Sequence, residues 1–251
     1  NYGPEISEDD IIKEARAWNQ RHAAVLVKTT NHANDRSQNR RLRIGYVSAD
    51  MRQHSVVFFL EPLLAAHSKE AVEIFCYAEV GVPDAVTQRL VNLADHWRTT
   101  AGMTNSMLAE TILADRIDIL VDLGGHTAGN RLLTFARRPA PIQVAWLGYP
   151  STTGLDAIDY RIVDAITDPE DGMVETLLRL PNGFLCYRPP EGAPSVAPAH
   201  GTGTVTFGSF NNISKVNLSC IQLWSEILTE LPDARLLLKS HPLSDVATEN
   251  I

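Results

Sequence analysis

Two histidines each lie a few residues past an apolar, strand-like run, the position at which open α/β sheets bind their ligands. The first run, Leu42-Arg43-Ile44-Gly45-Tyr46-Val47-Ser48, leads into Asp50-Met51-Arg52-Gln53-His54-Ser55. His54 there suits acid/base work or a hydrogen bond to a substrate, and suits a solvated loop histidine equally well. The second run ends at Val121-Asp122-Leu123 and is followed by Gly124-Gly125-His126-Thr127. Its glycines let the backbone come close to a ligand, and Asp122 with His126 sets two titratable groups beside one cleft. Two such loops on one sheet would face each other across a single crevice. A dinucleotide site is disfavoured, because G-x-G-x-x-G is absent after the first strand, where only Gly45 occurs, inside the strand.

Two further loops place small or polar residues at strand ends. Arg137-Arg138-Pro139-Ala140-Pro141 locks the entry to an apolar strand. Leu147-Gly148-Tyr149-Pro150 and Ser151-Thr152-Thr153-Gly154 follow that strand as a tight, hydroxyl-rich turn, structural as readily as ligand-binding. The other loop, Phe207-Gly208-Ser209-Phe210-Asn211-Asn212-Ile213-Ser214-Lys215, stands between a strand and a helix. Backbone N–H groups at a helix start favour an anion, and Lys215 adds a point charge, so phosphate oxygens fit. It is no P-loop, since G-x-x-x-x-G-K-[ST] is missing. A capping loop with a surface lysine is the plainer alternative.

The elements that would position these loops alternate. Strands are expected at Leu42–Ser48, Val72–Ala78, Ile117–Leu123, Ile142–Leu147, Tyr160–Val163 and Leu177–Leu180, with helices at Val56–Ala66, Ala85–Ala94 and Ser106–Ala114. That rhythm implies βαβ units and a parallel, doubly wound α/β sheet. Ile117–Leu123 carries apolar residues on both faces and belongs at the sheet centre. Upstream, residues 1–40 read as a helix from Ser7, with Ile11, Ala15, Trp18 and Val25 near one face, and a polar linker from Thr29 to Arg41. Residues 41–187 form the first lobe, and 188–203, RPPEGAPSVAPAHGTG, is a second linker. Residues 204–251 restart the pattern with strand Thr204–Phe207, helix Asn217–Leu231 and strand Ala234–Lys239. One strand-helix-strand is short for a domain, so a second lobe is expected to be incomplete here.

Composition excludes several classes. With 251 residues the chain has room for one or two domains at roughly 150 residues each, enough for a core without disulfide or metal staples. The 22 basic and 30 acidic residues give a net charge of −8, a poor footprint for nucleic acid, although Arg131, Arg137 and Arg138 nearly make a local basic patch. No stretch approaches the roughly 20 apolar residues of a membrane span, and the polar stretch Asn1–Asp10 does not read as a signal peptide. Cys76, Cys186 and Cys220 are odd in number and widely spaced, which argues against a disulfide framework or a zinc site. Cys76 and Cys186 sit in apolar runs as expected buried hydrophobes, and a reducing, cytoplasmic compartment is expected. The first residue is not Met, so the chain is expected to start inside a longer one.

RIGYVSADMRQHSV, DILVDLGGHTAGNRLLTFARRPAPIQVAWLGYPSTTGLDAIDYRIVD, LPNGFLCY and VTFGSFNNISKV, in this order, resemble the O-linked N-acetylglucosamine transferase / SPINDLY family of nucleotide-sugar glycosyltransferases. The resemblance runs from about Arg43 to Lys239, and the wording is nearer to bacterial and plant SPINDLY-like members than to the animal enzyme. It implies two Rossmann-like lobes of GT-B type and an inverting, metal-independent transfer of N-acetylglucosamine or fucose to Ser/Thr of a protein or peptide. The donor would be UDP-N-acetylglucosamine or GDP-fucose. The family usually carries tetratricopeptide repeats upstream; none of roughly 34 residues is visible here, and the helix Ser7–Val27 looks like the connector that follows them.

By resemblance, His54 lines the acceptor and sugar side, while Asp122 and His126 match the family's polar strand-end and aromatic-or-histidine positions. Thr127, Leu147, Gly148, Tyr149 and Pro150 fall on the substrate side, and Asn212 and Lys215 match the amide and lysine that touch the diphosphate. The family's second lobe goes on to a threonine-rich helix start and the base and ribose contacts, which do not occur before Ile251. The resemblance therefore implies no efficient transfer from this stretch alone. The competing readings are a catalytically silent interaction module of a repeat protein and another sugar- or nucleotide-binding α/β domain.

Overall fold

Runs rich in β-branched and aromatic residues with apolar side chains on both faces can be covered only at the centre of a sheet flanked by helices. The chain is described here by a computed structural model over residues 6–26, 28–29, 31–167, 173–189, 192–196 and 203–240. Val27, the expected end of the first helix, and linker residues 190–191 and 197–202 lie outside the described residues, as does the stretch after 240.

The chain divides into two compact units, one of them Asp9–Glu191. Its strands are β1 (Leu42–Ser48), β2 (Val72–Ala78), β3 (His96–Thr99), β4 (Ile119–Asp122), β5 (Ile142–Ala145), β6 (Tyr160–Asp164) and β7 (Thr176–Leu180). All pairings are parallel, in the order β3-β2-β1-β4-β5-β6-β7. The doubly wound sheet expected from the sequence is present. Helices α2 (Val57–Ala66) and α3 (Ala85–Leu93) cover one face through Leu60, Leu64, Val86 and Leu90, all buried with Ile74 and Val121. Helix α4 (Asn105–Ala114) and the single turn α5 (Leu132–Phe135) cover the other through Leu108, Ile112, Leu132 and Phe135. Each fully buried Leu or Phe contributes about 1.5–3 kcal/mol, which makes these faces the main source of stability.

Several expectations need correction. Strand β3 escaped the sequence reading because His96-Trp97-Arg98-Thr99 is a short, polar edge strand with no apolar alternation. Cys186 is exposed, whereas Cys76 is buried in β2. The first helix, α1 (Glu8–Trp18), passes into a π-turn at Asn19–Ala23. Its extra residue turns the buried face to Ile12, Ala15, Asn19 and Ala23 and leaves Val25 exposed. The polar stretch read as a linker is strapped down: Asp118 accepts from Arg40 Nη1 and Nη2 at 2.6 and 2.7 Å, from Asn34 at 2.7 Å and from the Arg43 backbone at 2.8 Å.

The other unit contains β8 (Thr206–Ser209), α6 (Leu218–Glu230) and β9 (Arg235–Leu238), with β8 and β9 parallel. Asn217 caps α6 by accepting from the Cys220 N–H at 2.9 Å.

Candidate active site

The strand order reverses between β1 and β4. From β1 the chain runs outward through β2 to β3, then crosses back to lay β4 along the other side of β1. At such a switch point the loops leaving the strand ends part and frame a crevice. The loops after β1, β4 and β5 all leave this same edge of the parallel sheet, and those after β1 and β4 touch, since a Cβ on Gly129 would lie 2.8 Å from that of Ala49.

Asp122 ends β4, is 2 % exposed, and accepts from the N–H groups of Gly124 at 3.1 Å and Gly125 at 2.8 Å. This bends the chain sharply, and Thr127 closes the turn by donating its hydroxyl to the Gly124 carbonyl at 2.8 Å. Burial pushes the Asp122 carboxyl up to about 6, with Glu175 adding to the rise and the two N–H donors and Arg161 opposing it. A carboxyl raised in the folded state favours folding most when protonated, so its contribution falls as pH climbs through the window from about 4 to 6. We expect the stability of wild type relative to Asp122→Asn to drop by about 3 kcal/mol across that window. Urea unfolding of both proteins at several pH values checks this; a difference that stays flat or grows with pH refutes it.

The loop after β5 meets this turn at close quarters. A Cβ on Gly148 would lie 1.9 Å from the Leu123 carbonyl oxygen, so only glycine fits. Gly148→Ala is expected to destabilise by about 1–3 kcal/mol, because the obstacle is backbone and cannot rotate away. An unchanged melting curve would show that the loop can move aside. Its neighbour Leu147 holds a φ of 80°, a strained conformation for a residue with a side chain.

His126 sits where the two loops join. Its Nε2 lies 2.8 Å from the Thr153 carbonyl, which only accepts, so Nε2 donates. The ring also meets Tyr149 edge-to-face at 5.5 Å and Trp18 of α1 at 5.1 Å. Two buried charges hold the loop from below. Glu175, just before β7, accepts from Thr152 Oγ1 at 2.5 Å, from the Thr153 N–H at 2.7 Å and from Thr153 Oγ1. Arg161 on β6 donates to the carbonyls of Ser151 at 2.5 Å and Tyr149 at 2.7 Å. The hydroxyls of Thr152 and Thr153 therefore face the protein and not a ligand.

Of the remaining sequence candidates, Thr127 and Tyr149 are half-buried and Pro150 is exposed. His54 is exposed on the loop after β1, with Nδ1 accepting from the Val56 N–H at 3.3 Å and lying 3.7 Å from Asp50 Oδ2. With Nδ1 accepting, the neutral ring carries its proton on Nε2 and presents a donor. Asn212 and Lys215 lie in the other unit. Lys215 is exposed in a short 3-10 turn, Ile213–Lys215, ahead of the α6 cap rather than at the helix start itself. Asn212 caps that turn by accepting from the Ser214 N–H at 3.1 Å. Among the described residues no three His, Cys, Asp or Glu side chains cluster to hold a metal ion, and no helix is long and apolar enough to cross a membrane.

Residues 15–186, which include the loops after β1, β4 and β5, match Glycosyl transferase family 41. The chain belongs to that family. It is 43 % identical over 251 aligned residues to the tomato (Solanum lycopersicum) protein named "Probable UDP-N-acetylglucosamine--peptide N-acetylglucosaminyltransferase SPINDLY", covering 96 % of this chain and 27 % of the relative. A Caenorhabditis elegans protein named UDP-N-acetylglucosamine--peptide N-acetylglucosaminyltransferase is 41 % identical over 177 residues, 67 % of this chain and 15 % of its own length. Among solved structures, a lysine-to-methionine variant of the Thermobaculum terrenum O-GlcNAc transferase superposes with a TM-score of 0.93 at 40 % identity, over 99 % of this chain and 48 % of that one. The chain thus spans about a quarter of the length of the first of these relatives, and half or less of the others.

Within this family 41 region, sequence reasoning missed Glu175, Arg161 and Trp18. Arg161 left a signal, a charged residue between the apolar neighbours of a strand. Glu175 left none, since it follows several other acidic residues in a polar stretch.

Proposed function

We propose that the whole protein is a nucleotide-sugar-dependent O-glycosyltransferase that transfers N-acetylglucosamine or fucose to Ser/Thr of a protein or peptide. The observation that carries this reading is the family 41 match over the loops at the sheet's switch point. The curated relatives' names support an N-acetylglucosamine donor and a peptide acceptor.

In this reading the chain's own residues bind and orient. His54 presents its Nε2 proton to a hydroxyl or sugar oxygen at the crevice mouth. Asp122 acts through the Gly124–Thr127 turn that it shapes, and His126 offers the adjoining polar surface, bordered by Thr127, Leu147, Gly148, Tyr149 and Pro150. In the other unit, Asn212 and Lys215 hold the diphosphate, and Lys215 stabilises the negative charge that grows on the leaving nucleotide. No metal enters this scheme. A cytoplasmic location and tetratricopeptide repeats upstream complete the proposal.

The test is a donor screen on the whole protein, with UDP-N-acetylglucosamine, GDP-fucose and unrelated nucleotide sugars offered beside a serine- and threonine-containing peptide. Labelled peptide from one of the first two donors is expected. Donor binding without transfer would favour the silent interaction module instead.

A further inference from the structure

We infer that Glu175 is a positioning residue of this site, fixing the tautomer and ring orientation of His126 through the Thr152–Thr153 segment; the inference rests on the transferase reading for its kinetic consequence only. Glu175 is 3 % exposed and reaches His126 through the loop after β5, not by a hydrogen bond of its own to the ring. Its two oxygens gather three donors from two consecutive threonines, each of them fully buried. Glu175 fixes the 152–153 peptide plane through the Thr153 N–H. It also holds Thr152 Oγ1, which accepts from the Gly154 N–H at 3.1 Å and so restrains the 153–154 plane whose carbonyl meets His126 Nε2, 2.8 Å away.

The consequence is chemical. Because a carbonyl only accepts, this contact keeps the neutral imidazole protonated at Nε2 and leaves the Nδ1 lone pair as the ring's acceptor. The edge-to-face contacts with Trp18 at 5.1 Å and Tyr149 at 5.5 Å hold the ring plane against rotation. Tyr149 is itself anchored through its carbonyl, which accepts from Arg161 at 2.7 Å. Buried groups of opposite sign thus grip the same loop, Arg161 at Tyr149 and Ser151 and Glu175 at Thr152 and Thr153. Without the Glu175 carboxylate, the Thr153 N–H and hydroxyl would lose their shared acceptor, and the carbonyl that selects the His126 tautomer would lose its fixed direction.

Histidine-selective 15N labelling and long-range 1H–15N NMR read this directly, with His126→Asn identifying the signal. Wild type is expected to show His126 as the Nε2–H tautomer alone. Glu175→Ala should bring in the Nδ1–H form, and in the whole enzyme lower kcat on the order of 10- to 100-fold with a smaller change in KM, as expected when a site is displaced but still binds. Glu175→Gln, which keeps the shape and offers one acceptor oxygen where three donors converge, should show the same change more weakly. It decides the question if the alanine variant does not fold. An Nδ1–H tautomer in wild type, or a folded variant with unchanged His126 signals, would overturn the inference. Absence of sugar transfer by wild type would sink the proposed function while leaving the tautomer result to stand or fall alone.

Discussion

Lys215→Ala is expected to slow sugar transfer by about 30- to 1,000-fold while leaving the fold intact. The lysine stands exposed in the turn Ile213–Lys215, capped by Asn212 and followed by the start of α6. In the proposed function, a cation there meets a diphosphate whose charge grows as the bond to the sugar breaks, so its attraction would be stronger in the transition state than in the bound substrate. Removing one such donor costs about 2–4 kcal/mol elsewhere, and each 1.36 kcal/mol is about tenfold in rate. Stability should change by less than about 0.5 kcal/mol, since the side chain is on the surface. Turnover at saturating donor, paired with a melting curve, separates the effects. His54→Ala belongs beside it as a control, because in the proposed function its loss would act through a hydrogen bond at the other reactant. Near-normal turnover in a folded Lys215→Ala protein would mean that the diphosphate is held elsewhere.

Arg161→Met should be the costliest change to stability, about 3–5 kcal/mol. The guanidinium is 7 % exposed and donates to two carbonyls of the Tyr149–Ser151 loop. Met fills much of the volume but leaves those carbonyls without these donors. It also removes the positive charge that offsets the buried Asp122. Breaking a buried charge set from one side is expensive because the remaining charges stay out of water. Urea unfolding with an unchanged slope measures it. A loss below about 1 kcal/mol would show that the loop is held by its other contacts.

The strands β1 and β2 are legible to the residue in the sequence. Val72–Ala78 reads as a strand and is one, since the apolar run Ile74–Ala78 is buried from both faces. Ile117–Leu123 was read too long, because the periodicity continues into residues that have already turned toward the loop. The edge strand His96–Thr99 was invisible, since one more solvated side relaxes the demand for apolar residues. At the site, the glycines and histidines announced the loops after β1 and β4. What the sequence could not show was direction. Thr152 and Thr153 look like ligand hydroxyls until Glu175 is found beneath them, and burial of an acidic residue among other acids depends on contacts 22 and 23 residues away. Trp18 reads as an ordinary apolar helix position, and only the packing of α1 brings it to His126.

The mass of a serine- and threonine-containing peptide after incubation with the whole protein and its selected donor tests the account most directly. The expected result is a gain of one N-acetylhexosamine or one deoxyhexose, located by fragmentation on a Ser or Thr hydroxyl and formed far more slowly by Lys215→Ala. A peptide that gains nothing from any nucleotide sugar, in a protein shown to be folded, would contradict it.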